Sequence, residues 1–175
     1  MAVLLDAARA DDCPYRVALV ASNNPDAAGL EIARAAGVAT FAHSHKGLPR
    51  EQFDPIIDRA MRDAGVRFIA LAGYMRILSA DFIARWAGHI VNIHPSLLPK
   101  YKGLDTHARA IAAGDLEAGC SVHLVTPALD DGAVIARSVV PILPGDTAAG
   151  LANRVLEEEH RLYPAALAAY IRDHV

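Results

Sequence analysis

Short apolar runs alternate with amphipathic helical segments over most of this chain, and that alternation limits the fold more than any other feature. The runs "RVALVAS" at 16 to 22, "VATFA" at 38 to 42, "VRFIALAG" at 66 to 73 and "HIVNI" at 89 to 93 have strand length and composition. Helical patterns separate them at about 24 to 37, 50 to 64 and 80 to 88, and "HARAIAAG" follows the last. Successive strands joined by helices run parallel, because a tight hairpin cannot return a strand in the same direction. The pattern predicts an α/β fold, a Rossmann-like, mostly parallel sheet with helices on both faces. Near the end, "GCSVHLVT" and "GAVIARSVV" flank the short "PALDD" and predict an antiparallel hairpin. One helix at about 1 to 10 opens the chain, and another at 147 to 172 closes it, with Pro164 expected to kink or break it.

Local signals place the ends of these elements. Asn24 can cap the second helix, with Pro25 in its first turn and Gly37 at its stop; Gly65 closes the third. Ser79 can cap the fourth, and Asp105 or Thr106 can start the fifth. With no internal repeat or linker, residues 1–175 read as a single domain, and a hydrophobic content of 53% supplies its core.

Charge and cysteine content narrow the partners. A net charge of -3 leaves no general basic surface, so a nucleic acid held by its phosphates is not expected. Cys13 and Cys120 stand far apart and outside any CxxC pattern, which argues against a disulfide framework or a thiolate zinc site. "MAVLLDAARADD" turns acidic too soon for a signal peptide, and no run approaches the ~18 apolar residues of a membrane span. A soluble protein of the reducing cytoplasm is the expectation.

Ligands of parallel α/β sheets bind beyond the carboxyl ends of the strands, which selects "LAGYMRIL", "NIHPSLLP" and "LDDG". In an extended segment Asn92 and His94 share one face. An amide donor and an imidazole side by side suit a carbonyl that becomes a tetrahedral oxyanion. Spacing alone equally allows both residues to cap a turn before Pro95. Asp130 and Asp131 before Gly132 suit a hairpin turn, or a carboxylate that orients an imidazole. Tyr74, Met75 and Arg76 can line a pocket or simply end a strand. His43 and His45 read as an exposed loop, since no acidic or cysteine cluster completes a metal site. His123 reads as a satisfied core histidine, His107 as a surface or element-end residue, and Glu157, Glu158 and Glu159 as a solvated helix face. Ser96, His94 and Asp130 could form a hydrolase triad, but no G-x-S-x-G elbow surrounds any serine, and no G-x-G-x-x-G or Walker loop is present.

The segments "LAGYMRILS", "NIHPSLLPKYKGLDTHARAI", "GCSVHLVTPALDDGAVI" and "EEEHRLYP" closely resemble, in order and spacing, the phosphoribosylglycinamide formyltransferases of purine synthesis. The resemblance runs from residue 1 to about residue 172. It implies transfer of a formyl group from 10-formyltetrahydrofolate to the amine of glycinamide ribonucleotide, without a metal. Asn92, His94 and Asp130 fall on that family's catalytic positions. Arg76, Ile77, Leu78, Val125 and Asp130 fall beside the folate, and Met75, Asn92 and Glu159 on the nucleotide side, with Glu159 at the ribose hydroxyls. A 10-formyltetrahydrofolate hydrolase and a noncatalytic folate or nucleotide binder are the alternatives, and a monomer or homodimer is consistent with all of them.

The family opens with a hydrophobic strand and a glycine-serine loop whose amides bind the nucleotide phosphate. Here the match begins after them, at the helix that follows. The expectation is an N-terminally truncated formyltransferase domain, with Met1 an internal methionine of the natural protein. Weak nucleotide binding and unpaired sheet edges should accompany the missing strand.

Overall fold

In the computed structural model, which describes residues 1–174, strands and helices alternate as the periodicity requires. The order is α1 (Ala2–Ala7), β1 (Val20–Ser22), α2 (Ala28–Ala35), β2 (Thr40–Ala42), α3 (Arg50–Asp63) and β3 (Ile69–Leu71). It continues with α4 (Ala80–Arg85), β4 (Ile90–His94), α5 (Thr106–Ala112), β5 (Glu117–Leu124), β6 (Val134–Pro141) and α6 (Ala148–His174). β1 pairs in parallel with β2, and β3 in parallel with β4. β5 then runs antiparallel to both β4 and β6, giving the order β3-β4-β5-β6 and the C-terminal hairpin.

Helices cover both faces. Alternation along β3 and β4 sends Ile69 and Ile90 to one side, where they pack with Phe53 and Ile57 of α3 and with Phe82, Ile83 and Trp86 around α4. Val91 points the other way and, with Val122 of β5, meets Leu4 of α1 and Tyr163, Leu167 and Ile171 of α6.

Two buried carboxylates fix α4 to α3. Asp54 Oδ2 accepts the Ser79 N–H at 2.6 Å, while Asp58 accepts from Trp86 Nε1 at 2.7 Å and from Arg62 and Arg85 at 3.1 Å. Burial pushes the Asp58 carboxyl up, but these three donors outweigh it and hold the group below its ordinary value. Ser79 also caps α4 as its sequence predicts, its Oγ accepting from Phe82 N–H at 3.3 Å. The "GYMRILS" segment is therefore pinned at its far end.

Two local expectations are corrected. Asn24 does not cap α2: its Oδ1 accepts from Asp26 N–H at 3.1 Å, an Asx turn that spends the side chain before the helix begins after Ala27. Pro164 does not break the last helix, which runs continuously through it. Leu151 and Val155 before the proline and Leu167 and Ile171 after it are all buried, so packing of both halves outweighs the cost of an interior proline, about 3 kcal/mol.

Tyr163 links α6 to the sheet, its hydroxyl lying 2.9 Å from Leu71 O and 3.0 Å from Val91 O. Tyr163→Phe removes that donor and leaves buried carbonyls short of a partner. We expect a loss of about 1–2 kcal/mol, read as a lower urea midpoint at unchanged slope.

Candidate active site

The antiparallel register of β4 and β5 sets Asn92 opposite His123 and His94 opposite Ser121. All four side chains leave the sheet on the face opposite α6. Ser121 Oγ donates to Ser96 O at 2.7 Å and accepts from Leu98 N–H at 3.0 Å, and Ser96 Oγ donates to Lys100 O at 2.6 Å. The proline-rich loop after β4 thereby folds back over the sheet. With its hydroxyl committed to Lys100 O, Ser96 Oγ makes no hydrogen bond to the His94 ring, so no hydrolase triad assembles.

Asp130 completes the centre from the β5–β6 turn, where its own φ is 47°. Gly132 makes that turn possible: a Cβ there would lie 1.8 Å from Leu124 O, closer than any side chain tolerates. One carboxylate oxygen, Oδ2, accepts the Gly103 N–H at 2.9 Å and lies 3.5 Å from His94 Nδ1. Oδ1 lies 3.7 Å from His123 Nε2. A single carboxylate thus faces two imidazoles and ties the proline loop to the hairpin turn.

His94 is buried, with Nε2 3.0 Å from Tyr101 O. Both of its ring nitrogens therefore face oxygen acceptors. His123 differs. Its Nδ1–H donates to Leu124 O at 2.8 Å, leaving Nε2 to accept from Asn92 Nδ2 at 3.2 Å. Burial lowers the pKa of His123, more than the Asp130 carboxylate raises it, so this ring is held neutral. The bond orients the Asn92 amide and leaves its second N–H free.

The structure brings together Asn92, His94 and Asp130, as the sequence predicts, and adds His123, which reading as a core histidine missed. His123 is indeed buried and hydrogen-bonded, but among polar neighbours. The available signal was its alternation with Ser121, which puts a second polar face opposite the Asn92 and His94 face. His107 also turns inward: burial and the nearby His94 lower its pKa, and its Nε2 is buried without a hydrogen-bond partner.

The remaining predicted residues lie around this centre. Met75 and Ile77 are exposed, at 78% and 58%, and so are free to meet a ligand. Leu78 is buried against the α3–α4 core, so only its backbone is available, and Val125 packs at the edge of the same cluster with its N–H on Ile90 O at 2.9 Å. Arg76 stacks over Phe53 at 5.0 Å and donates to His45 O at 3.4 Å and Leu48 O at 3.3 Å. His43 and His45 lie in the predicted loop, but half-buried, their rings 6.2 and 6.3 Å from that of Phe53. Glu159 stands apart, on α6, with no hydrogen bond to the Asn92 cluster among the described residues. Burial raises its pKa to about 6, partly offset by the Met1 ammonium. No group of three or more His, Cys, Asp or Glu among the described residues is placed to hold a metal ion, and no helix among them is long and apolar enough to cross a membrane.

Fold and site together define an α/β protein with an amide, two imidazoles and a carboxylate gathered at the carboxyl end of a central strand. A model of the formyl transferase family matches residues 1–167. Phosphoribosylglycinamide formyltransferase from Haemophilus influenzae is 41% identical over 94% of this chain and 78% of its own length. A trifunctional purine biosynthetic protein of Drosophila pseudoobscura is 46% identical over 94% of this chain, which spans 12% of that longer protein. The crystal structure of phosphoribosylglycinamide formyltransferase from Brucella melitensis superimposes with a TM-score of 0.92 at 48% identity, covering 98% of this chain and 88% of that one. The chain belongs to the formyl transferase family and, within it, to the phosphoribosylglycinamide formyltransferases.

The low pKa of His123 has a consequence for stability. Between that pKa and the ordinary value near 6.5, the unfolded chain binds a proton that the folded chain refuses, so stability falls as pH drops below about 6.5. His123→Gln removes this contribution. Urea midpoints compared at pH 7.5 and pH 5.5, values chosen to bracket that window, should fall less in the variant than in the parent.

Proposed function

We propose that this chain transfers a formyl group from 10-formyltetrahydrofolate to the glycyl amine of glycinamide ribonucleotide, in the cytoplasm. The observation that carries the reading is the Asp130 carboxylate 3.5 Å from His94 Nδ1, with the Asn92 amide on the same sheet face. The amine attacks the formyl carbon, a C–N bond forms, and the formyl oxygen becomes an oxyanion. The free N–H of Asn92 and an N–H of His94 stabilise that charge, His94 exchanging its bond to Tyr101 O for one to the substrate. When the bond from carbon to the folate nitrogen breaks, that nitrogen gains a proton and the attacking amine has lost one. His94 carries the proton, and Asp130 supports the charged ring.

Exposed Met75 lies on the nucleotide side and Ile77 beside the folate. The Leu78 and Val125 backbones and the loop to Asp130 line the folate position, and Arg76 offers its guanidinium edge to the charged tail. Glu159 holds the ribose hydroxyls.

Loss of the formyl donor, followed with and without glycinamide ribonucleotide, tests the reading. Amine-dependent turnover is expected; turnover independent of the amine points to a hydrolase, and none at all to a binding protein. His94→Ala and Asn92→Ala should each lower kcat by roughly 100-fold or more, and a near-parental rate in His94→Ala would refute the assignment.

A further inference from the structure

Residues 101–103 set both sides of the His94 ring. Tyr101 O lies 3.0 Å from Nε2, and the Gly103 N–H holds the Asp130 oxygen that faces Nδ1. Lys102, between them, pairs through Nζ with Asp131, the neighbour of Asp130. The segment does not hold this shape by itself. Tyr101 and Asp105 both have positive φ, 54° and 57°, a left-handed conformation that a residue with a Cβ keeps only when its surroundings over-determine it. Among the described residues no backbone N–H donates to Lys102 O or Leu104 O.

Arg109 of α5 supplies those donors. Its Nη1 carries two hydrogens and donates to Lys102 O at 2.7 Å and to Leu104 O at 3.1 Å. Lys102 O belongs to the same peptide group as the Gly103 N–H, so this one peptide is gripped by a cation at its oxygen and by the Asp130 carboxylate at its hydrogen. The guanidinium also lies over the Tyr101 ring, 5.2 Å from its centroid. That ring is fixed at its far end, where the hydroxyl donates to Asp115 Oδ2 at 2.8 Å and Lys100 Nζ reaches the same oxygen at 3.0 Å. α5 is a firm base, since Thr106 and Ala110 are buried and Arg109 N–H donates to Asp105 O at 2.9 Å. Arg109 forms no ion pair among the described residues, so its charge goes to the two carbonyls. A point-like ammonium could not both stack on the ring and fork to two oxygens.

We propose that Arg109 is a positioning residue of the active centre: it clamps the peptide between Lys102 and Gly103 and so aligns Asp130 and Tyr101 O on opposite sides of His94. The cation at the oxygen of this peptide polarises its N–H toward Asp130. Arg109 makes no hydrogen bond to His94 or Asp130 among the described residues, and its effect reaches the reaction through the loop. The role in catalysis rests on formyl transfer as the reaction; the clamp itself does not.

The test uses Arg109→Ala and, as the conservative change, Arg109→Lys in the 175-residue chain. In Arg109→Ala the Gly103 amide should exchange on the order of 10-fold faster while the β4 and β5 amides keep their protection, and the ring signals of His94 should move in its nuclear magnetic resonance spectrum. kcat should fall about 10-fold, less than the ~100-fold that a misplacement of ~1 Å can cost, with KM for both substrates unchanged. Millimolar guanidinium should restore part of the lost rate and methylammonium should not, with Arg109→Lys between alanine and parent. Should Arg109→Ala fail to fold, Arg109→Lys carries the same readings. Unchanged Gly103 exchange, unmoved His94 signals, an unaltered kcat, a higher KM alone, or faster exchange throughout the core overturns the proposal. If the parent chain shows no amine-dependent turnover, formyl transfer is what fails, and the clamp is judged on Gly103 exchange and the His94 signals.

Discussion

The register of β4 against β5 determines whether the polar centre exists. A slip of one residue would send either Asn92 and His94 or Ser121 and His123 into the α6 core and expose Val91 or Val122 on the opposite face. The apolar residues of one face therefore hold the polar residues of the other in position, because Val91 and Val122 are fully buried and cannot exchange sides without losing about 1.5–3 kcal/mol each. Everything else in the site depends on this pairing. Ser121 positions the proline loop only because it lies opposite His94. His123 orients the Asn92 amide only because the two residues are cross-strand partners.

Asp130 converts that register into a centre made from three segments. Its Oδ2 takes a backbone N–H from Gly103 and faces His94, while Oδ1 faces His123. The carboxylate would be costly in so buried a place without these partners. Its position in turn rests on Gly132, where no side chain fits, so the Asp-Gly signal serves hairpin and site at once. The two readings of "LDDG" were never alternatives: the turn is what delivers the carboxylate.

How much of this was legible in the sequence depended on the range of the interaction. Alternation of apolar runs and helices defined the α/β layers, and the Ser79 cap and the Gly37 and Gly65 stops were readable because each acts within a few residues. Asn24 misled because its side chain is spent on Asp26 N–H, a competing bond of equally short range. That the helix stays unbroken at Pro164 was hidden for the opposite reason, since burial of both halves of α6 is a tertiary effect that local propensity does not contain. Asn92, His94 and Asp130 were found through motif and resemblance, whereas His123 and His107 emerged only when β4, β5 and α5 were placed together. An imidazole between apolar residues looks the same in sequence whether its partner is a carbonyl or a side-chain amide.

Glu159 makes a separate physical point. Asn92 and His94 leave one face of the sheet, while Glu159 rises from α6 on the other, close enough to Cys120 to raise the pKa of that thiol further than burial alone. A ligand that touched both groups could not lie on either face; it would have to pass over the carboxyl ends of the strands, where the cover of helices stops. Met1 sits at the same end, its ammonium near enough to Glu159 to oppose the upward shift of that carboxyl. The Met1 ammonium and the carboxylate of α6 thus face each other across the same end of the sheet.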